Sequence, residues 1–181
     1  MKRHWRAFLF VISLFGLLSG CDDVPPCENT WFMHDHRPTD CPRDPGQRSH
    51  ATFMQFENGF MLWVTEQDTI YVLYLGQTVP RWQSFEDVFE DGMIEYDPAL
   101  NVDQPPYTFQ PRRGMGLIWR ERAEVRNRLG WAVAEYEFPF ETIIQTAANG
   151  TVYIRERHGG LFVLDADGAD WLLYEANSPA S

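Results

Sequence analysis

Lysine is almost absent from this sequence, and the absence limits what the protein can bind. Lys2 is the single lysine. Residues 1–20 hold three of the 15 Lys and Arg residues and none of the 26 acidic ones, so the remainder has a formal charge of 12 − 26 = −14. Binding to nucleic acid without sequence preference needs basic residues that neutralise phosphates, and adhesion to anionic lipid needs a basic face. The charge argues against sequence-independent binding to nucleic acid and disfavours adhesion to anionic lipid through a basic face.

Long apolar runs are also scarce. The one such run, residues 7–18, covers about twelve positions, whereas a membrane-spanning helix needs about twenty. Three basic residues precede it and Leu18-Ser19-Gly20-Cys21 follows it, which is the order of a secretory signal. We therefore interpret residues 1–20 as a signal peptide.

The end of this segment, Leu18-Ser19-Gly20-Cys21, resembles the lipobox of bacterial lipoproteins. The resemblance implies cleavage before Cys21 and a diacylglycerol on its sulfur. Each buried CH₂ of the acyl chains contributes about 0.8 kcal/mol, so two or three chains anchor a protein stably. We expect a lipid anchor at the cell membrane, on the periplasmic side or the cell surface. Asp22 and Asp23 resemble the inner-membrane retention tag of enteric bacteria.

The other two cysteines, Cys27 and Cys41, lie in the exported part of the chain, where disulfides persist. With Cys21 acylated they are the only possible pair, and the loop-entropy model gives their bridge about 3 kcal/mol. We predict this disulfide. The alternative is a zinc or copper site that combines both thiols with His34, His36, Asp35 and Asp40.

Two parts of the chain resemble each other at a spacing of 91 residues. Asn58-Gly59 and Asn149-Gly150 each lie between two apolar runs, which is the strongest short hairpin signal. The pattern of each copy predicts a strand, a turn, a second strand, a loop and a third strand. In the second copy, Asp167-Gly168 predicts a further turn into a fourth strand. We predict a mainly β fold, in which two pseudo-repeated antiparallel meanders with short helical inserts form a compact sandwich or half-barrel.

The chain divides accordingly. A helix is expected over residues 121–129, because acidic residues lie near its start, basic residues lie near its end and a glycine follows it. A helical turn is expected at residues 85–89. The expected segments are a signal peptide (1–20), the lipidated cysteine with a tether and cysteine loop (21–46), the first β repeat (47–90), a Pro-rich linker (91–113), a helix with the second β repeat (114–175) and a tail (176–181).

A family resemblance surrounds the second copy. Leu129-Gly130-Trp131-Ala132, Glu135 and Asn149-Gly150-Thr151-Val152-Tyr153 resemble the LGFP repeat of actinobacterial cell-wall-associated proteins, and Gln55 to Trp63 matches its glutamine-to-tryptophan part. Ala132 replaces the family proline. The resemblance implies a non-catalytic module near the cell wall that binds polysaccharide or peptidoglycan.

Signatures of common active sites are missing. The sequence has no G-x-S-x-G, no H-E-x-x-H and no phosphate-binding glycine loop, so we expect no enzymatic activity, metal or cofactor. Residues 165–170 alternate aspartates with a glycine as a calcium loop does, but an Asp-Gly turn explains them. Arg112-Arg113-Gly114-Met115-Gly116 is expected to dock the linker by charge pairing. A less favoured alternative is a hydrolase that pairs Glu135 or Glu137 with an aspartate of the acidic stretch 86–97.

Aromatic residues are the remaining candidates for ligand binding, since aromatic faces stack on sugar rings. Trp82 and Trp171 recur at strand ends, where we expect exposure, and Trp131 is the third candidate. The expected function is that of a lipid-anchored, non-enzymatic envelope module that binds a cell-wall polysaccharide or an envelope protein. The alternative is a purely structural lipoprotein with buried tryptophans and no cleft.

Overall fold

The structure, a computed structural model, describes residues 26–176. The expected signal peptide, the lipidation site Cys21 and most of the tail lie outside the described residues, so these assignments stay predictions. Within residues 26–176, no helix combines the length and the apolar content that crossing a membrane requires.

Eight strands, two α-helices and two 3₁₀ helices, Thr65–Gln67 and Pro98–Asp103, make up the regular structure of this described part. The strands are β1 (Gln47–Phe56), β2 (Gly59–Val64), β3 (Thr69–Tyr74), β4 (Trp82–Glu86), β5 (Phe138–Thr146), β6 (Val152–Arg155), β7 (Leu161–Leu164) and β8 (Trp171–Tyr174), and the helices are α1 (Arg113–Glu121) and α2 (Ala123–Leu129). All strands pair antiparallel in one sheet of order β4-β3-β2-β1-β5-β6-β7-β8. The predicted mainly β fold of two meanders is confirmed. The meanders join edge to edge through β1 and β5, which makes a barrel-like sheet rather than a sandwich.

The pairing of β1 with β5 follows the sequence repeat. Gln47 pairs with Ile144 and Phe53 with Phe138, and a shift of 91 exchanges the two pairs, because 47 + 91 = 138 and 53 + 91 = 144. His50 pairs with Glu141, its own equivalent in the second copy. A pseudo-twofold axis therefore passes between these two side chains, whose exposed Nδ1 and Oε1 atoms lie 2.7 Å apart.

Both predicted hairpins are present, although their turns differ from the expected Asn-Gly type. Phe56 pairs with Gly59, so the loop of the first hairpin is Glu57-Asn58. Gly59 serves a different purpose, because a Cβ there would overlap the carbonyl oxygen of Leu73 on β3. The glycine lets two backbones approach closely.

Apolar side chains alternate between the two faces of the sheet, as expected for strands that are covered on both sides. The inner face holds one buried cluster from both meanders: Ala51, Leu62, Val64, Tyr71, Leu73, Ile144, Ile154, Phe162, Leu164 and Trp171. The outer face of the first meander packs against α1 and α2 through Met61, Val72, Met115, Trp119 and Leu129, among others. Each half of the sheet therefore needs its own outer cover.

The outer face of the second meander is covered by the N-terminal segment. Trp31 and Met33 pack against Tyr153 and Leu161. A disulfide joins Cys27 to Cys41, as predicted, and it closes the loop that carries these apolar residues. Both thiols are thereby removed from the alternative metal site.

The helical region differs from the predicted one in two ways. Helix α2 begins two residues later than expected and ends before Gly130, whose φ is 73°. Helix α1 was not predicted, because Gly114 and Gly116 lower helix propensity in its first turn. The helical turn predicted at 85–89 is wrong: Phe85 lies in β4 opposite Ile70, where cross-strand packing outweighs local preference.

Candidate functional site

Trp82 and Trp171 close the half-barrel. The Nε1 of Trp171 donates to the carbonyl oxygen of Tyr74 at 2.9 Å, and the Nε1 of Trp82 donates to the carbonyl oxygen of Asp165 at 3.0 Å. Asp165 is the equivalent of Tyr74 in the second copy, because 74 + 91 = 165. The two bonds are thus reciprocal across the gap between β4 and β8.

This arrangement corrects the expected exposure of both tryptophans. Trp171 is buried, with 7% of its surface exposed, and Trp82 is half-buried. A strand end is near solvent in an open sheet, but here the two edges of the sheet curve toward each other and the large rings fill the space between them. A buried ring cannot stack on a sugar.

Trp131 has a similar structural environment. Its ring centroid lies 4.9 Å from that of Trp119, and its backbone N–H donates to the carboxylate of Glu57 at 2.8 Å. The Nε1 of Trp119 donates to the carbonyl oxygen of Gly130 at 2.7 Å. The segment that resembles the LGFP motif therefore docks the end of α2 onto the first hairpin.

The aspartates of residues 165–170 are occupied by backbone contacts. Asp165 accepts from the backbone N–H of Asp170 at 2.7 Å, and Asp167 accepts from that of Ala169 at 3.1 Å. Asp170 pairs with Arg81. Across residues 26–176, no group of three or more His, Cys, Asp and Glu side chains is arranged to hold a metal ion.

A depression of about 280 Å³ lies between the N-terminal segment and the second meander. Its aromatic faces are already covered: His36 stacks on Tyr174 with ring centroids 3.8 Å apart, and the guanidinium of Arg155 lies 5.3 Å from the centroid of Phe32. Another part of the molecule offers free polar and aromatic groups together.

That part is a groove on the outer face of the first meander, where α1 begins. It consists of two neighbouring cavities that meet at Arg113 and Glu137. The first cavity, of about 240 Å³, is lined by Thr52, Trp63, Asp68, Ile70, Asp87, Phe89, Asp91, Arg113, Gly114, Met115 and Glu137. The second, of about 310 Å³, is lined by Met54, Glu95, Arg112, Arg113, Glu135, Tyr136 and Glu137.

The carboxylate of Asp87 lies directly against the first turn of α1. A Cβ at Gly114 would overlap both of its oxygens, so only glycine leaves room for it there. Its Oδ1 accepts from the backbone N–H of Phe89 at 3.0 Å. Burial raises the pKa of the Asp87 carboxyl; the Phe89 hydrogen bond opposes this, and the charge of Asp68 adds to it.

Glu137 faces the same cavity from the segment that leads into β5. Burial is the main cause that raises its pKa, the charges of Asp87 and Glu95 raise it further, and the Thr52 hydroxyl and Arg113 oppose the shift. Although Thr52 lies beside Glu137, its Oγ1 is shut off from solvent and forms no hydrogen bond of normal geometry. The Glu137 carboxylate is the group that this hydroxyl faces.

Trp63 and Arg113 complete the first cavity. Trp63 is half-buried, and its Nε1 points toward Asp68 Oδ1 at 3.4 Å. Arg113 is the first residue of α1 and has a φ of 47°, which is uncommon for a residue other than glycine. Such backbone conformations persist where the surrounding structure holds them, often at functional sites.

The groove brings together some residues that the sequence analysis named and some that it did not. Glu137 shares the first cavity with Asp87 and Asp91 of the acidic stretch, and Glu135 lines the second. Trp63 was not among the candidate aromatics: it packs as a half-buried side chain against the buried cluster under α1 and α2, and it also lines the first cavity.

Comparison of the chain with protein-family models, curated protein sequences and solved structures finds no match. The resemblances to the lipobox and to the LGFP repeat stay predictions.

Proposed function

We propose that the chain is a lipid-anchored, non-enzymatic module of the cell envelope whose groove binds a cell-wall glycan. The observation that carries the proposal is the combination of Trp63 with hydrogen-bonding side chains in one cavity. Ligand sites are concave, largely apolar or aromatic, and contain a few polar groups that orient the ligand. The first cavity is more polar than this, since six of its eleven lining residues are polar or charged, but it shares with such sites the combination of aromatic rings and hydrogen-bonding groups.

The chemistry of the groove suits a polyhydroxylated ligand. Hydroxyl groups can donate to the carboxylates of Asp87 and Glu137 and accept from the guanidinium of Arg113. The second cavity adds Tyr136, which is 69% exposed. Two compartments, each with an aromatic side chain, match a chain of sugar units better than they match one small molecule.

The predicted location at the cell envelope supports the same ligand class. A lipid anchor at Cys21 would hold the domain beside the cell wall, and the resemblance to the LGFP repeat implies the same surroundings. The candidate aromatics Trp82, Trp171 and Trp131 contribute to this proposal only as supports of the fold, and Trp63 with Tyr136 takes the role of contacting sugars.

Cosedimentation of the mature chain, residues 21–181, with insoluble cell-wall glycan tests this function. Trp63→Leu keeps apolar volume but removes the aromatic face, so we expect binding to fall about tenfold, which corresponds to about 1.4 kcal/mol. Tyr107→Leu is the matched control, because Tyr107 is 93% exposed and lies outside the groove. The proposal fails if the mature chain stays in the supernatant, or if Trp63→Leu binds as well as Tyr107→Leu.

A carboxylate-dependent hydrolase is the second candidate, and one observation favours it. Asp87 and Glu137 line one cavity, and burial raises the pKa of both. A carboxyl group with a raised pKa can act as a general acid while a second carboxylate acts as base or nucleophile. Release of soluble sugar from cell-wall glycan by the wild-type chain, but not by Glu137→Gln, would replace the binding proposal with this one.

A further inference from the structure

A depression of about 620 Å³ lies beside α1, apart from the groove, and its lining includes Met93, Ile94, Tyr96 and Leu117. Glu95, which stands between Ile94 and Tyr96, lines the second cavity of the groove instead. The segment 93–97 therefore has the groove on one side and this depression on the other.

The apolar side chains of the depression are open to solvent. Ile94 is 75% exposed, Tyr96 is 48% exposed and Met93 is 41% exposed. Leu117 is half-buried, although Trp119 on the same helix packs fully against the sheet. Exposed apolar side chains that gather on one concave surface indicate an interaction site, whereas scattered ones do not. Methionine and tyrosine are also enriched in protein interfaces.

The backbone beneath these side chains is held by two polar side chains. The guanidinium of Arg120 donates to the carbonyl oxygens of Ile94 and Glu95, the latter at 2.7 Å. Gln110, which is buried, accepts from the backbone N–H of Asp97 at 3.1 Å and donates to the carbonyl oxygen of the same residue at 2.7 Å. A partner would meet side chains on an ordered backbone, so its binding would lose little conformational entropy.

Charge decides which partner this surface fits. Arg120 is the basic residue of the lining, and its N–H groups are directed at backbone carbonyl oxygens. Asp97 and Glu121 are the acidic residues of the lining, and in the part of the chain that the structure describes neither has a basic nitrogen within 4.0 Å. A second copy of this negatively charged chain, or an anionic lipid surface, would bring like charges together, which costs free energy. A basic partner brings opposite charges together.

We propose that this depression docks a polypeptide segment of another protein, in which large apolar side chains alternate with lysine or arginine. The apolar side chains pack against Ile94, Tyr96 and Leu117, and the basic groups lie beside Asp97 and Glu121. Because the backbone carbonyl oxygens of Ile94 and Asp97 already accept hydrogen bonds within the protein, recognition depends on side chains. This docking goes beyond the proposed function, since it uses a different surface and a different class of ligand.

Fluorescence anisotropy of labelled peptides with the mature chain tests the proposal. The probes are three synthetic peptides of equal length: one alternates leucine with arginine, one has serine in place of leucine, and one has glutamate in place of arginine. We expect the leucine-arginine peptide to bind at least about tenfold more tightly than either of the others. Equal binding of the serine-arginine peptide would assign the attraction to charge alone and overturn the proposal. Equal binding of the leucine-glutamate peptide, or binding of no peptide, also overturns it.

Two matched variants place the binding on the depression. Ile94→Ser removes its most exposed apolar side chain and should weaken binding of the leucine-arginine peptide about tenfold. Leu172→Ser is the control, because Leu172 is 50% exposed and lies on β8, outside the depression. Equal losses in the two variants would mean that the peptide adheres to any exposed apolar residue, and the proposal would be refuted.

A second pair of variants tests the contribution of charge. Glu121→Gln should weaken binding of the leucine-arginine peptide a few-fold, because it removes an exposed charge beside the bound segment. Glu28→Gln removes the same charge from an exposed position on the N-terminal segment and should leave binding unchanged. Equal effects of the two changes would show that the overall charge attracts the peptide, against the proposal.

Cosedimentation with cell-wall glycan separates this proposal from the proposed function. Ile94→Ser is expected to cosediment as the wild type does, because Ile94 lines neither cavity of the groove. Loss of cosedimentation in Ile94→Ser would make the depression a part of the groove and overturn the proposal. If the wild-type chain binds the leucine-arginine peptide but does not cosediment, the docking proposal stands and the proposed function fails.

Discussion

Replacing Trp171 with phenylalanine removes the indole N–H that joins the two ends of the sheet. The bond from Trp171 Nε1 to the Tyr74 carbonyl oxygen is 2.9 Å long and buried. A buried polar group that loses its partner costs about 1–3 kcal/mol, and the smaller ring leaves unfilled space that costs about 1 kcal/mol more. We expect the free energy of unfolding to fall by about 2–4 kcal/mol.

The hydrogen bond from Trp82 to Asp165 provides a comparison for the effect of Trp171→Phe. Trp82 is half-buried, and its Nε1 lies 3.0 Å from the Asp165 carbonyl oxygen and 3.1 Å from Oδ1. Water can reach a half-buried oxygen after the change, so Trp82→Phe is expected to cost about 1 kcal/mol or less. Because both bonds bridge the same gap, the double variant should lose less stability than the two single losses added together.

Urea denaturation of the mature chain measures these differences. The midpoint should shift without a change in the slope m, since the fold and the surface exposed on unfolding stay the same. Trp63→Phe is the control, because its Nε1 contact with Asp68 is long, at 3.4 Å, and exposed. The proposed closure is refuted if Trp171→Phe unfolds within about 0.5 kcal/mol of the wild type, or if Trp82→Phe costs more than Trp171→Phe.

Three further outcomes are expected. Replacing Cys27 and Cys41 together with serine lowers the free energy of unfolding by about 3 kcal/mol. A loss of less than about 1 kcal/mol, measured by urea denaturation, would contradict that value. Gly114→Ala destabilises the fold and abolishes glycan binding, because the new Cβ displaces the Asp87 carboxylate. At a helix position without such a neighbour, the same change would stabilise the fold by about 1 kcal/mol. Asp87→Asn and Glu137→Gln raise stability at neutral pH. A carboxyl whose pKa is raised by folding destabilises the fold once it ionises, so the gain disappears below its unfolded pKa, as urea titrations at two pH values would show.

The hairpins show which elements of the fold local sequence patterns can predict. Alternating apolar residues and the recurring Asn-Gly pairs predicted β1 to β3 and β5 to β7 correctly, because strand periodicity and turn chemistry act over a few residues. The same reasoning missed α1, whose first turn contains Gly114 and Gly116. Packing of Met115, Ile118 and Trp119 against the sheet compensates for the weak propensity, and no short window of sequence contains that partner.

The tryptophans show a property, the exposure of a side chain, that local sequence patterns did not predict. Their recurrence at strand ends is visible in the sequence, but exposure depends on whether the two edges of the sheet meet. The edges meet because the sheet curves, and the curvature sums small twists over all eight strands. Trp171 is therefore a buried closure residue, whereas Trp63 is half-buried against the core and also lines the groove.

The sequence by itself determined the two copies, the first three strands of each, the disulfide partners and the strong negative charge, since each depends on neighbouring residues, on composition or on a short list of cysteines. Only the tertiary structure decided that the meanders join through β1 and β5, and that α1 covers the outer face of the first. Asp87, Arg113 and Glu137 come from three segments far apart in the chain, and they line one cavity because these layers pack together. Convergence of this kind is set by packing between elements, which a local pattern does not record.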